Sequence, residues 1–408
     1  MSFKDFFRRR SASAAATAPR AAGPLTFEPV ARSAFRALGV AAGASRRELS
    51  DAASRVRLAL KVGVRKNFDS DLAWLGPVAR EESDVRDAVG RLSEPAQRAF
   101  ERLFWFDEPP PAVNVTNVEE LRRAIFSTRS VERAGPREEF SALHDEALLA
   151  LAGLTRLDPQ LLEVDAWTRA FELWRRVFES DEFWSRLVAA DLRGDFEQLV
   201  TYAEVRDLRE RVPRVVSRPL AERARDAALR TDARECGRVL ALLRAASLPP
   251  TLLEEYERET LGPLEDSLTE KIDVAFGWLY LMTVESRGAA TVRNYANSAW
   301  RKFKAEAHEL SEFVRAAGAS HYAARRVLEH AASKLLLLAE RFEEAGRREE
   351  TLFVALRAYA LAPPESEAHA KASARLRALG VPEIFQTKTV EGYAAALARE
   401  LSDMRDPE

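Results

Sequence analysis

Few residues in this chain stand at spacings that chemistry requires. The lone cysteine, Cys236, lies in Ala233-Arg-Glu-Cys-Gly-Arg238 with no histidine beside it, so a thiolate nucleophile would lack an activating base and a packed thiol is expected. Five histidines, His144, His308, His321, His330 and His369, form no HExxH motif and stand beside no CxxC pair. His321 and His330 are nine residues apart, on different faces of a straight helix, and His308 is too distant to share a metal with them. No GxSxG elbow, GxGxxG turn or GxxxxGK loop occurs before a helix. Acid pairs such as Glu81-Glu82 and Glu254-Glu255 carry nothing that marks a catalytic dyad. The expectation is a protein that is not an enzyme, with no metal and no cofactor; a helical enzyme whose site escapes motif reading is a third option.

Charge is the more informative chemistry. The net charge is -2, but residues 1–106 hold 19 Lys/Arg against 12 Asp/Glu, so the remainder is acidic. The cations concentrate at Arg46, Arg47, Arg55, Arg57, Lys61, Arg65 and Lys66, against Glu48 and Asp51. Such a face is either a solvated helix surface or a dock for an acidic partner. Near-neutrality and the lack of an RNA-binding signature disfavour nucleic acid.

The elements that must carry these residues read as helices. Apolar residues recur three and four apart over long windows, and the one alternating stretch, Val113-Asn-Val-Thr-Asn-Val118, cannot build a sheet alone. The fold class is therefore all-α. At 408 residues and 47% hydrophobic the chain has apolar mass for two or three domains. A single cysteine excludes an internal disulfide and points to a reducing, cytoplasmic setting. No stretch of about 18 apolar residues occurs, and Ile272 to Met282 is interrupted by Asp273, so no membrane span is expected. The start, Met-Ser-Phe-Lys-Asp-Phe-Phe-Arg-Arg-Arg, lacks a secretory apolar core; it reads as a disordered basic tail, or else a short anchor through Phe3, Phe6 and Phe7. Arginine is favoured over lysine, with nine Lys among 62 basic residues, as in a GC-rich, bacterial genome.

Within the basic head, Ala34-Phe-Arg-Ala-Leu-Gly-Val40 precedes a helix that Ser45 can cap, with Glu48 closing a capping box. Leu49, Ala52, Ala53, Val56 and Leu60 line one face of that helix. A third element runs from Ser83 to Phe106, with Val85, Ala88, Val89 and Leu92 inward and a break at Ser93-Glu94-Pro95. These residues, in this order, resemble the J domain of DnaJ-type co-chaperones over about 70 of the 408 positions. The resemblance implies a helical hairpin whose second helix docks its basic face on a DnaK-type chaperone. It departs at the family's His-Pro-Asp tripeptide, whose place is taken by Lys61, Val62 and Gly63. Charged Lys61 cannot accept a hydrogen bond, Val62 does not fix φ, and Gly63 has no carboxylate. Stimulation of the chaperone ATPase by the family's route is therefore not expected.

The segment joining the two long helices contains Asp71-Leu-Ala-Trp-Leu-Gly-Pro77, in which Trp74 is expected to pack back onto the bundle, and Leu103-Phe-Trp-Phe106 is expected to be buried against the next domain. Trp167, Phe171, Trp174 and Phe178 share one helix face, as core or as the wall of a peptide groove. Residues 332–365 resemble a single tetratricopeptide unit at Leu338, Ala339, Phe342, Gly346, Ala358, Leu361 and Pro363, with departures at Leu335, Thr351 and Ala355. One such unit makes no concave groove. The expected organisation is a tail (1–29), a J-like head (30–107), a linker (108–135), a helical domain (136–331), the hairpin with its following helix (332–385) and a second tail (386–408). Two functions are consistent with it. One is a divergent co-chaperone or non-catalytic adaptor that recruits a protein partner, a DnaK-type chaperone among the candidates, through the basic head. The other is a structural interaction protein whose head only packs. The oligomeric state is not legible.

Overall fold

The structure, a computed structural model, describes residues 25–64, 68, 71–76, 78, 80–107, 120, 136–156, 164–284 and 288–381. The alternating stretch at 113–118 lies outside them, as do both expected tails save residues 25–29 of the first. The described residues form helices and connecting turns, with no strand among them, so the fold is all-α. None of these helices is long and apolar enough to cross a membrane. The chain divides into two compact units, residues 1–222 with 242–252, and residues 223–241 with 253–408.

The first unit begins with α1 (Glu28–Ala31), α2 (Ala34–Leu38) and α3 (Arg46–Lys61). Its core reaches back to Phe27 and Val30, both buried. The capping box at α3 forms: the Ser45 Oγ accepts from the Glu48 N–H at 3.3 Å and the Ser45 N–H donates to the Glu48 carboxylate at 2.7 Å. Leu49, Ala52, Ala53 and Val56 are buried while Leu60 is half-buried, so the apolar stripe faces α4 (Glu82–Ser93), on which α3 packs. Glu94 is extended before Pro95, as the residue preceding proline must be, and the chain re-enters a helix as α5 (Pro95–Leu103). Gly39 closes α2 at φ +68, and a Cβ there would lie 2.4 Å from the Phe68 ring. Glycine is required at that position both by conformation and by space.

After α5 come α6 (Pro136–Leu154), α7 (Val164–Glu179) and α8 (Asp181–Arg193), followed by α9 (Tyr202–Leu229). The α7 aromatics are core: Trp167, Phe171 and Trp174 are buried with Ala170 and Val177, and α7 packs along α6. Leu103, Phe104, Trp105 and Phe106 are all buried. Phe104 meets Phe27 at 5.5 Å and Trp174 at 5.7 Å between ring centroids, and Trp74 sets its edge against Phe106. These rings join the head to α7 in one apolar interior.

The remaining helices are α10 (Ala233–Ala245), α11 (Pro250–Val284), α12 (Ala289–Ala317), α13 (Tyr322–Glu344), α14 (Arg348–Leu361) and α15 (Glu367–Ala378). In the second unit α13 and α14 form a hairpin that α15 extends. Leu335, Leu338, Ala339 and Phe342 are buried there with Val354, Ala355 and Ala358. Thr351, fully buried, donates its hydroxyl to the Arg347 carbonyl at 2.8 Å, so its burial leaves no orphaned group.

Candidate functional site

The basic residues singled out in sequence fall mostly on α3. Arg46, Arg47, Arg55 and Lys61 are exposed and Arg57 is half-buried; Arg65 and Lys66 lie outside the described residues. Arg46 pairs with Glu197 at 2.5 Å, and its backbone N–H, one of the free donors of the first helical turn, is taken by the Gly194 carbonyl at 3.0 Å. Arg47 reaches Asp51 only at 4.0 Å, with both side chains in solvent. Among the described residues neither Arg55 nor Lys61 makes an ion pair within 4.0 Å.

Lys61, Val62 and Gly63 form a helix end. The Val62 N–H donates to the Leu58 carbonyl, the Gly63 N–H to Leu60 and the Val64 N–H to Ala59, at 3.2, 3.1 and 2.9 Å, while Gly63 takes φ +72. This is the paired pattern of a glycine-closed helix terminus. Val62 uses the N–H that a proline would lack, so the cap and a proline-bearing tripeptide are mutually exclusive at this position.

Beside α3 lies a cleft of about 450 Å³. Leu49, Ala53, Val89 and Leu92 make its apolar side, Arg46, Ser50, Ser54 and Arg57 line the α3 side, and Phe196, Glu197 and Gln198 close it. The turn that closes it is held by a buried charge cluster. Asp191 of α8 is 1% exposed and accepts from Arg98 Nε at 2.8 Å, Arg98 Nη2 at 2.6 Å, the Val200 N–H at 2.9 Å and Arg102 Nη1. Arg98 spends its other donors on the carbonyls of Leu92, Ser93 and Gln198, and its guanidinium lies 4.0 Å from the Phe196 ring centroid. Burial works against the Asp191 charge, but the Arg98 hydrogen bonds and the Arg102 cation outweigh it and hold its pKa below the usual carboxylate value. Burial lowers the Arg102 pKa against the pull of Asp191.

A second clamp fixes the long α3–α4 connection. Arg36, buried in α2, donates to the carbonyls of Asp71, Ala31 and Gly76 at 3.0, 2.9 and 2.6 Å. Burial brings its pKa down to about 10, with Asp71 opposing the shift. Arg80 bonds the Ala37 and Arg36 carbonyls at 2.9 Å and pairs with Asp71. The loop is thereby tied to α2 through its backbone.

Sequence reasoning did not reach Asp191, Arg98, Phe196 or Glu197. The signal for Arg98 and Arg102 was present: α5 interleaves Arg98, Glu101 and Arg102 with Ala99, Phe100 and Leu103 and so leaves no wholly wet face. The other candidate chemistry is spread out. Cys236 is buried with its thiol pKa pushed up to about 12, by burial first and then by Asp232 and Glu235. His144 is buried, donates Nε2–H to the Leu103 carbonyl at 2.7 Å, and has its pKa lowered by desolvation. His330 and Lys334 both reach Asp273, at 2.8 and 2.9 Å. No group of three His, Cys, Asp or Glu among the described residues is arranged to hold a metal. No family model matches this chain, nor does any curated protein or solved structure.

Proposed function

We propose that the chain is a non-catalytic protein-binding adaptor of the cytoplasm whose first helices are a divergent J-domain-like module, docking an acidic protein surface along α3 without activating a DnaK-type ATPase. The observation that carries this reading is the contrast along α3. Among the described residues Arg47, Arg55 and Lys61 stand in solvent with no counter-charge from another element, whereas the tripeptide position is closed as a helix cap. A face of this kind offers steering and register through charge; the cap offers nothing that resembles the family's activating group. The Asp191 cluster adds that α3 is presented on a fixed support, which lowers the ordering cost of docking.

The test is competition. With a DnaK-type chaperone stimulated by a J protein that carries His-Pro-Asp, the chain should leave the basal ATPase rate unchanged and lower the stimulated rate. Arg47→Glu, Arg55→Glu and Lys61→Glu together should remove the inhibition; Arg46 is left intact because it pairs with Glu197. A several-fold rise in basal rate would overturn the non-activating reading, and absence of inhibition would remove the chaperone as partner. A second reading, a head that serves only for packing, is favoured by the same Arg98–Asp191–Arg102 cluster, and it requires that the triple charge reversal change no interaction of the chain.

A further inference from the structure

The end of α3 is an apolar projection. Leu58 and Val62 are each 64% exposed and Val64 is 56% exposed, three of the large apolar side chains most open to solvent within seven consecutive residues. Leu58 and Val62 are four apart and share the face of α3 with Arg55, opposite the Leu49, Ala52, Ala53 and Val56 stripe that packs on α4. Lys61 stands beside them. The acids of the first turn of α4, Glu81, Glu82 and Asp84, belong to the helix on the other side. A Cβ placed on Gly63 would meet nothing within 4 Å, so the space beside Gly63 is open.

We propose that this tip is a peripheral contact for an anionic lipid surface, with Leu58, Val62 and Val64 entering the interface and Arg55 and Lys61 meeting the headgroups. Three features favour lipid over a protein pocket. The three apolar side chains stand open to solvent, so they can enter a deformable interface without a complementary cleft. Its helix end is internally satisfied, because the N–H groups of Val62, Gly63 and Val64 are bonded to the helix's own carbonyls; few polar groups must lose water on entry. Long cationic side chains next to apolar ones can keep their charge at the headgroups while the stems follow the apolar residues inward. The inference goes beyond protein docking, which rests on the cations along α3 and not on this apolar triad.

The full chain is tested by flotation with vesicles of phosphatidylcholine containing about 30% phosphatidylserine, a level at which surface potential draws in basic segments. Two nearby cations predict binding about tenfold or more above that to pure phosphatidylcholine, weakened several-fold by about 0.5 M salt. Leu58→Asp with Val62→Asp, at sites too exposed to disturb folding, should reduce binding about tenfold or more. Tyr322→Asp, at another exposed apolar residue, should leave it unchanged. A second readout is V62C carrying an environment-sensitive dye; buried Cys236 stays unlabelled in the native chain, and the dye should shift to the blue on anionic vesicles only. Failure to bind anionic vesicles overturns the proposal. So does binding that survives the double aspartate variant, or a dye that stays in water. In those cases the tip belongs to a protein partner, and the competition with a DnaK-type chaperone still decides the docking reading separately.

Discussion

Replacing Asp191 by alanine should destabilise the first unit by about 3–5 kcal/mol, the usual cost of removing one partner from a buried ion cluster. The magnitude follows from the geometry. Asp191 accepts four hydrogen bonds, three of them from two guanidiniums whose side chains are 1% and 4% exposed. Without the carboxylate two buried cations lose their counter-charge. Five of the seven tryptophans, Trp74, Trp105, Trp167, Trp174 and Trp184, lie in residues 1–222, so tryptophan fluorescence in urea reports mainly on this unit. For a denaturant slope of about 2–3 kcal/mol per molar, the midpoint should fall by about 1–2 M. The cause is separated from simple loss of contacts by a cycle with Arg102→Met. If the penalty is unpaired charge, the cost of Asp191→Ala should drop by at least about 1 kcal/mol in that background. The Asp191 pKa is depressed in the folded state, so its contribution is complete above the unfolded value of about 3.9 and is lost as the pH falls below it. A midpoint shift under about 0.3 M, or a cost undiminished by Arg102→Met, would refute the view that paired charge holds the turn at α3.

Two further outcomes use the same fluorescence assay. Gly39→Ala should cost about 2 kcal/mol or more, because φ +68 penalises any Cβ and the Phe68 ring occupies its place, whereas Gly63→Ala, at φ +72 with open space around it, should cost only about 1 kcal/mol; equal losses would remove the Phe68 contact as a cause. His144 is buried with a depressed pKa, so protonation is favoured in the unfolded chain; stability should be level above about pH 6.5 and fall below it, by at most about 1.4 kcal/mol per pH unit, and His144→Gln should flatten that slope between pH 7 and 5. A wild-type midpoint that does not move over that range would contradict the desolvation of the ring.

The all-α architecture was legible because its signals are local. Ser45 and Glu48 announce their own helix start, Pro95 announces a break one residue before itself, and the Trp167, Phe171 and Trp174 spacing names a buried face without knowledge of what covers it. The candidate site was legible only in part for the opposite reason. Arg46 was read with the other cations of its helix, yet its partner is Glu197, 151 residues away. Arg98 and Arg102 were not singled out, since burial of an arginine depends on an acid supplied by a distant element, here Asp191. No period or spacing encodes that pairing.

The same distinction separates the two ends of α3. Its start is held by the Ser45–Glu48 capping box and also by residues remote in sequence: the Gly194 carbonyl takes the Arg46 N–H and Glu197 takes the side chain. Its end is closed by its own backbone, through Gly63, with Leu58, Val62 and Val64 left in water. Leaving three large apolar side chains exposed within seven residues stabilises nothing in the isolated chain, and the hydrophobic effect favours their removal from water by about 1.5–3 kcal/mol each when fully buried. A helix anchored firmly at one end and apolar at the other is arranged to present that end, and a surface that covers Leu58 and Val62 while tolerating Arg55 and Lys61 must combine apolar depth with negative charge at its rim. An anionic bilayer meets both requirements without a shaped pocket, and the Leu58 and Val62 variants, which leave Arg55 and Lys61 in place, should separate lipid contact from protein docking.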